Sequence, residues 1–225
     1  MTRAGVTRAG VTREGGQPDA VAFLLACAMA FLAGATDVCG LFRLRDLFVS
    51  FMSGNTTMLA LALGQGHLGR AMMIAGLIGL FMAGAFVGTV IAVMAGRRHL
   101  GVVTLVVAVM LAAAAFRPVT TAGVLAVAMG ILNAAMHRAG AVGVSLTYVT
   151  GVLVKFAQGL GHVACGRPPD PFWYLQGVLW LALLAGAAAA TLALLARPIG
   201  NVLLALSLLA LLLALVAAFR PERPE

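Results

Sequence analysis

The sequence predicts an all-helical integral membrane protein that crosses the bilayer six to eight times and is built from two similar halves. The first observation behind this prediction is composition: of 225 residues, 62% are hydrophobic and only 10% are charged, with a mean hydropathy of +1.06. Soluble domains average about 45–50% apolar and about 25% charged residues, so a soluble domain is excluded. The other two observations are apolar runs of bilayer-spanning length and an internal repeat.

The N-terminal residues 1–18 form a separate zone, because the segment TRAGV at Thr2–Val6 recurs at Thr7–Val11. Such a polar, repetitive segment cannot bury enough apolar surface to fold, so we expect a disordered cytoplasmic tail. Residues 19–220 are then expected to form a single membrane domain.

Six apolar runs are long enough to cross a bilayer, which requires about 20 residues with a range of about 17–25. Arginine pairs and Arg-Pro steps separate these runs and indicate breaks between helices. The predicted spans cover roughly residues 20–37, 71–95, 100–116, 119–136, 172–195 and 199–219.

Two further apolar segments, 41–64 and 144–163, each contain a cluster of Ser, Thr, Gly or Asn in the middle. Both are expected to be interrupted or re-entrant helical segments. If both cross fully, the protein has eight spans in two parallel repeats of four. If both are re-entrant, it has six spans in two inverted repeats of three. With a cytoplasmic N-terminus, the six-span topology places nine arginines inside and five outside, which fits the positive-inside rule slightly better.

The two halves of the chain resemble each other in order. The run Leu25–Leu32 aligns with Leu125–Leu132 at an offset of 100, which places Asp37 opposite His137. The run Val49–Gly54 aligns with Leu146–Gly151 at an offset of 97. We therefore expect one repeat over about 20–116 and a second over about 119–219.

The two polar clusters are the candidate substrate site, because transporters with repeats often bind substrate between the repeats, at the ends of discontinuous helices. Glycine permits an unwound turn there, and Ser, Asn and Thr can cap the helix that follows. The alternative is a small-residue packing seam that binds nothing. The predicted binding residues are Ser53, Gly54, Asn55, Thr56, Thr147, Tyr148, Thr150 and Gly151.

Four more residues are candidates for coupling or support, since polar groups at membrane depth are costly. Asp37 is a candidate proton or cation site or an interfacial cap, and Asn133 is a candidate interhelical hydrogen-bonding group. His137 lies opposite Asp37. Lys155 could neutralise an anion or extend to the membrane interface.

The formal net charge is +8, and the arginines fall singly or in pairs between apolar segments. This pattern favours anionic lipid headgroups as partners and argues against nucleic acid. His67, His99 and His162 are expected in loops after helix ends and lack the spacing of a metal site. With no paired carboxylates, nucleophile triad or phosphate loop, we expect neither an enzyme nor a cofactor. A chain this short can require a homodimer.

Four motifs also resemble those of the YoaK-like bacterial membrane proteins, a family of unknown function. They are Gly34-Ala-Thr-Asp37, Phe48-Val-Ser-Phe-Met-Ser-Gly-Asn55, Ala128-Met-Gly-Ile-Leu-Asn133-Ala134 and Thr147-Tyr-Val-Thr-Gly151. The resemblance covers about residues 20–215 and implies a bacterial inner-membrane protein with about six helices. It implies no substrate.

From the residues themselves we expect a small inner-membrane permease or channel for a small polar or anionic solute. The alternative is a non-transporting scaffold or assembly partner whose polar clusters are helix-packing seams.

Overall fold

The computed structural model describes residues 20–116, 121–138 and 149–219, with residues 135–138 described as backbone only. These residues form eight α-helices and one short 3-10 helix, Gly96–Arg98. The α-helices are α1 (Ala20–Leu44), α2 (Met52–Gly64), α3 (Leu68–Ala95), α4 (His99–Phe116), α5 (Thr121–Arg138), α6 (Val149–Ala164), α7 (Tyr174–Ala196) and α8 (Ile199–Ala218). The predicted tail over residues 1–18 lies outside the described residues.

Four helical stretches are long and apolar enough to cross a membrane: Ala20–Leu44, Leu68–Phe116, Tyr174–Ala196 and Ile199–Ala218. The second is 49 residues long, more than twice the length of one crossing. It divides at Gly96, whose φ of +54° ends α3 and lets α4 fold back against it. A shorter apolar helix covers Thr121–Ala134. The predicted class, an all-helical membrane protein, is confirmed.

The two segments predicted to be interrupted differ from the others in length. Segment 41–64 divides into the end of α1, a non-helical connection and α2, which has 13 residues. In the second half, α6 has 16 residues. At about 1.5 Å per residue, these helices measure roughly 20 and 24 Å, short of the roughly 30 Å hydrocarbon core.

The bundle is organised around three extensive helix pairs: α1 on α7, α3 on α5, and α4 on α8. The main core draws on α1, α4, α5 and α8 and is filled by fully buried side chains such as Leu32, Leu111, Met129 and Leu203. Large apolar side chains on the outer faces of α3, α7 and α8 are exposed, as lipid contact requires.

Two of these pairs approach through the same reciprocal glycine contact. A Cβ on Gly34 would overlap the carbonyl of Leu183, and one on Gly186 would overlap the carbonyl of Phe31. Between α3 and α5, a Cβ on Gly84 would overlap the carbonyl of Val127, and one on Gly130 that of Phe81. In every case the opposed carbonyl belongs to the residue three positions before the partner glycine.

The α4–α8 pair runs antiparallel. Gly101, near the start of α4, lies against Ala214 and Ala218, near the end of α8. Ser207 Oγ donates to the Ala108 carbonyl at 2.8 Å in the middle of both helices. Gly200, at the start of α8, lies against Ala115, at the end of α4.

The α3–α5 pair instead runs parallel. Gly123, Val127 and Ile131 of α5 lie in that order against Leu80, Gly84 and Gly88 of α3. The residue numbers therefore rise together along both helices.

Candidate functional site

The connection between α1 and α2 turns back into the protein and is tied to Asp37. At the end of α1, Arg45 and Asp46 adopt left-handed φ angles of +46° and +74°, which reverse the chain. Asp37 Oδ1 then accepts the N–H groups of Val49 at 2.9 Å and Ser50 at 2.7 Å. Its Oδ2 accepts a short hydrogen bond from Ser50 Oγ.

The depth of this connection follows from the position of its anchor. Asp37 precedes the last residue of α1 by seven positions, which corresponds to roughly 10 Å along the helix. The bonded segment is also buried, since Leu47 and Val49 are fully enclosed. Val49 packs on Gly40, where an added Cβ would lie 2.7 Å from a Val49 methyl group. Non-helical backbone is therefore held inside the protein by a carboxylate.

Asn55 closes the same connection from the other side. Its Oδ1 accepts the Phe48 N–H at 3.0 Å, and its Nδ2 donates to the Phe48 carbonyl at 2.6 Å. The side chain of Asn55 is fully buried. Both polar atoms of this predicted binding residue are therefore used within the fold.

The other members of the first cluster lie at the start of α2 and face outward. Ser53 and Thr56 are exposed, and Thr56 Oγ1 donates to the Met52 carbonyl four residues earlier at 2.8 Å. Gly54 is half-buried beneath Phe51, and no side chain caps the helix start. Ser53 and Thr56 thus both present exposed hydroxyl groups to a solute, and the hydroxyl of Thr56 is also bonded within its own helix.

The second cluster is only partly described. Thr147, Tyr148 and the side chain of His137 lie outside the described residues. At the start of α6, Thr150 is exposed and Gly151 is buried. Among the described residues, no hydrogen bond connects the first cluster to Thr150 or Gly151. Asn133 is 7% exposed and its Nδ2 donates to the Met129 carbonyl at 2.9 Å.

Lys155 lies in a different place from the other predicted residues. It lines a cavity of about 520 Å³ between α6 and the start of α7, which we call the α6–α7 cavity. The cavity is lined by the ring of Trp173 and by five polar side chains: Lys155, Gln158, His162, Asp170 and Gln176.

Gln176 is the unusual member of this cavity. Only 6% of its surface is exposed, and among the described residues its Oε1 has no hydrogen-bond partner. Asp170 and Gln176 were not predicted from the sequence, and His162 was expected in a loop. That expectation is wrong, because α6 continues past it to Ala164. The positions 155, 158 and 162 share one helix face, which could have drawn attention to them.

In the described parts of the chain, no three His, Cys, Asp or Glu side chains lie close enough together to hold a metal ion. Within the same residues, the cysteines are free: Cys39 is buried, Cys27 half-buried and Cys165 exposed.

Comparison with known proteins agrees with the membrane architecture. A family model described as "Protein of unknown function (DUF1275)" matches residues 25–218. The chain is 39% identical over 206 residues to "UPF0700 transmembrane protein RA0705" of Rhizobium meliloti (strain 1021), an alignment that covers 90% of this chain and 88% of the relative. No solved structure matches. The length of the family match and the identity to this relative show that the chain belongs to the DUF1275 family of transmembrane proteins.

Proposed function

We propose that the protein is a small permease of the bacterial inner membrane that moves a small polar or anionic solute. The observation that carries the proposal is the α1–α2 connection, where Asp37 and Asn55 hold non-helical backbone inside an apolar bundle. Non-helical backbone at membrane depth is tolerated where it is buried in protein or lines an aqueous cavity. Transporters use such discontinuous helices to present helix ends to a substrate.

Six crossings in two inverted repeats are the topology that best fits the helix directions. Parallel repeats with eight crossings require α4 and α8 to run in the same direction, whereas inverted repeats require opposite directions. The antiparallel contacts of Gly101, Ser207 and Gly200 support the inverted arrangement. In this topology α2 and α6 are re-entrant half-helices, and both termini are cytoplasmic.

The reciprocal glycine contacts favour a different register for the repeat from the sequence alignment of α1 with α5. They pair Gly34 with Gly130, an offset of 96, close to the offset of 97 between the two polar clusters. Asp37 then corresponds to Asn133, whereas the sequence alignment placed it opposite His137. Each half would carry one Gly-x-x-Asp/Asn element ahead of its interrupted segment.

The topology is tested by labelling single cysteines with a membrane-impermeant maleimide in a Cys165→Ser background. Six crossings predict that a cysteine at His67 reacts from the periplasm and one at Arg97 reacts only after permeabilisation. Eight crossings predict the reverse, because each connection moves to the other side. Both positions are exposed, so access within the protein is comparable.

Transport is tested by osmotic recovery of proteoliposomes under gradients of glycine, bicarbonate or phosphate. We expect faster recovery than in protein-free liposomes for at least one solute. The rate should fall in the double variant Ser53→Ala, Thr150→Val, which removes exposed hydroxyls at the starts of α2 and α6. The matched control is Thr191→Val, which removes an exposed hydroxyl on α7. Recovery equal to that of protein-free liposomes for every solute would contradict the proposal.

A non-transporting scaffold is the second candidate, and a specific observation favours it. The hydrogen bonds of Asp37 and Asn55 satisfy the connection itself, as expected of a structural seam. Under this alternative the proteoliposomes show no flux, and anionic lipids or a second copy of the chain are the partners. Crosslinking of the protein in membranes detects such partners. Taken together with the presence or absence of flux, it separates the two candidates.

A further inference from the structure

We propose that the α6–α7 cavity binds a small zwitterion, with its anionic group at Lys155 and His162 and its ammonium group at Gln176 and Asp170. This site is separate from the predicted substrate clusters, so the inference does not depend on the permease proposal. The cavity holds about 520 Å³, within the range of about 300–1,000 Å³ typical of small-molecule sites.

The anionic end is assigned from the polar face of α6, which carries Lys155. Lys155, Gln158 and His162 lie three and four residues apart and line the same side of the cavity. Lys155 is the single lysine in a chain whose other fourteen basic residues are arginines. Among the described residues, Arg70 and Asp46 form an ion pair at 4.0 Å, whereas Lys155 forms none with any carboxylate. Its ammonium group is therefore not neutralised within the described part of the chain. A compact ammonium is a good partner for a phosphate or carboxylate.

The cationic end is assigned from an unsatisfied acceptor. A buried carbonyl oxygen without a hydrogen bond is costly, and Gln176 Oε1 is such an atom within the described residues. Oε1 itself has almost no accessible surface, but Gln176 lines the cavity, so a rotation of its amide would bring this oxygen within reach of an N–H donor on a ligand. Asp170 adds a carboxylate, and Trp173 adds an aromatic face that attracts ammonium groups.

The walls of the cavity are held by aromatic rings seated on glycines. Trp173 packs directly on Gly159, where any Cβ would overlap the indole ring. Phe156 covers Gly177, where a Cβ would lie 2.8 Å from the ring, and the Phe156 and Trp173 centroids are 5.4 Å apart. A site with fixed walls loses little entropy on binding, which favours a specific ligand.

The shared chemistry has two possible sources, a soluble zwitterion and a lipid headgroup. Phosphoethanolamine carries both required charges, and phosphatidylethanolamine presents the same group on a lipid. The neighbouring Trp173 and Tyr174 are of the types that are enriched at membrane interfaces, where a headgroup would be found. The experiment separates the two sources.

Two readouts report on the cavity directly in the purified full-length protein. Lys155 is the only lysine, so amine-reactive labelling followed by peptide mapping measures its protection. A Trp180→Phe variant leaves Trp173 as the only tryptophan, so its fluorescence reports on the cavity wall. The soluble probes are O-phosphoethanolamine, inorganic phosphate and ethanolamine. The lipid probes are nanodiscs of phosphatidylcholine with either phosphatidylethanolamine or phosphatidylglycerol.

We expect O-phosphoethanolamine to protect Lys155 and shift the Trp173 emission at concentrations at least tenfold below those needed for phosphate or ethanolamine. Lys155→Met and Asp170→Asn should each weaken the fluorescence response at least tenfold, while Arg197→Met, which removes a distant exposed cation, should not. If the headgroup is the source, phosphatidylethanolamine nanodiscs should protect Lys155 more than phosphatidylglycerol nanodiscs, with no response to the soluble probe. The proposal is overturned if no probe changes either readout, or if phosphate alone acts as strongly as O-phosphoethanolamine and Asp170→Asn has no effect.

Discussion

The α1–α2 connection and the α6–α7 cavity are both polar regions of an apolar bundle, and they differ in whether their polar atoms are satisfied. In the connection, Asp37 and Asn55 make hydrogen bonds with Phe48, Val49 and Ser50. In the cavity, Gln176 Oε1 is buried without a partner among the described residues. In a satisfied cluster the hydrogen bonds stabilise the fold itself. In an unsatisfied cluster, a ligand that supplies the missing hydrogen bond lowers the free energy of the complex.

The difference changes which residues should be tested for function. Asn55 is an attractive binding residue in the sequence, yet its amide serves the backbone of the connection. Lys155 is a weaker candidate in the sequence, yet it lines an open cavity. The following predictions test this contrast, starting with the largest expected effect on the free energy of unfolding.

Asp37→Ala should lower the free energy of unfolding by about 3 kcal/mol or more, because it leaves three donors of Val49 and Ser50 without their acceptor. Thermal unfolding in detergent measures the effect. Asp37→Asn keeps one acceptor oxygen and should lose less. The control Asp46→Asn removes the charge of an exposed carboxylate, suits the left-handed φ of +74° and should change little. A wild-type melting temperature for Asp37→Ala would show that the carboxylate does not anchor the connection.

Asn55→Ala should lower the free energy of unfolding by about 2–4 kcal/mol, since the N–H and carbonyl groups of Phe48 lose their partner inside the protein. Its matched control is Thr56→Val on the next residue, whose hydroxyl is exposed and bonded only within its own helix. If both variants melt alike, the first cluster is not held together by Asn55.

Gly186→Ala and Gly84→Ala should each cost about 1–3 kcal/mol, because the added methyl group meets a carbonyl of the partner helix. Similar losses are expected in the two variants if the α1–α7 and α3–α5 contacts are equivalent. Gly79→Ala lies on α3 with open space around it and should be neutral or stabilise the protein by about 0.5–1 kcal/mol. Chemical denaturation of the three variants measures these changes in the free energy of unfolding. Clearly unequal losses for Gly186→Ala and Gly84→Ala would argue against a repeated architecture.

Gln176→Leu should raise the free energy of unfolding by about 1 kcal/mol, because it replaces an unsatisfied buried amide with an apolar side chain. The same variant should lose the fluorescence response to O-phosphoethanolamine. Stabilisation together with lost binding would identify an acceptor kept for a ligand. Destabilisation would instead mean that the amide supports the fold.

The helical class and the six long helices could be predicted from the sequence because hydropathy over about 20 residues is a local property. The polar interruption in segment 41–64 was equally visible. The role of Asn55 was not, because a hydrogen bond to Phe48 depends on how the chain turns back after Leu44. The register that we propose for the repeat could not be predicted from the sequence, because runs of Ala and Leu align at more than one offset. It is the glycine contacts between helices that favour one offset.

The α6–α7 cavity could not be predicted because its residues come from two helices and the connection between them. Lys155 and His162 share a helix face, a pattern present in the sequence. Gln176 has no such signal: its burial depends on how α7 packs against α6, with Phe156 seated on Gly177. An unsatisfied atom can be recognised only once its surroundings are known.

The contrast between the two regions is tested most directly by thermal unfolding of Asn55→Ala and Lys155→Met, each with and without O-phosphoethanolamine. We predict that Asn55→Ala melts well below wild type and keeps its ligand-induced rise in melting temperature. Lys155→Met should melt like wild type and lose that rise. The opposite pattern, or a loss of both properties in both variants, would contradict the assignment of a structural role to Asn55 and a binding role to Lys155.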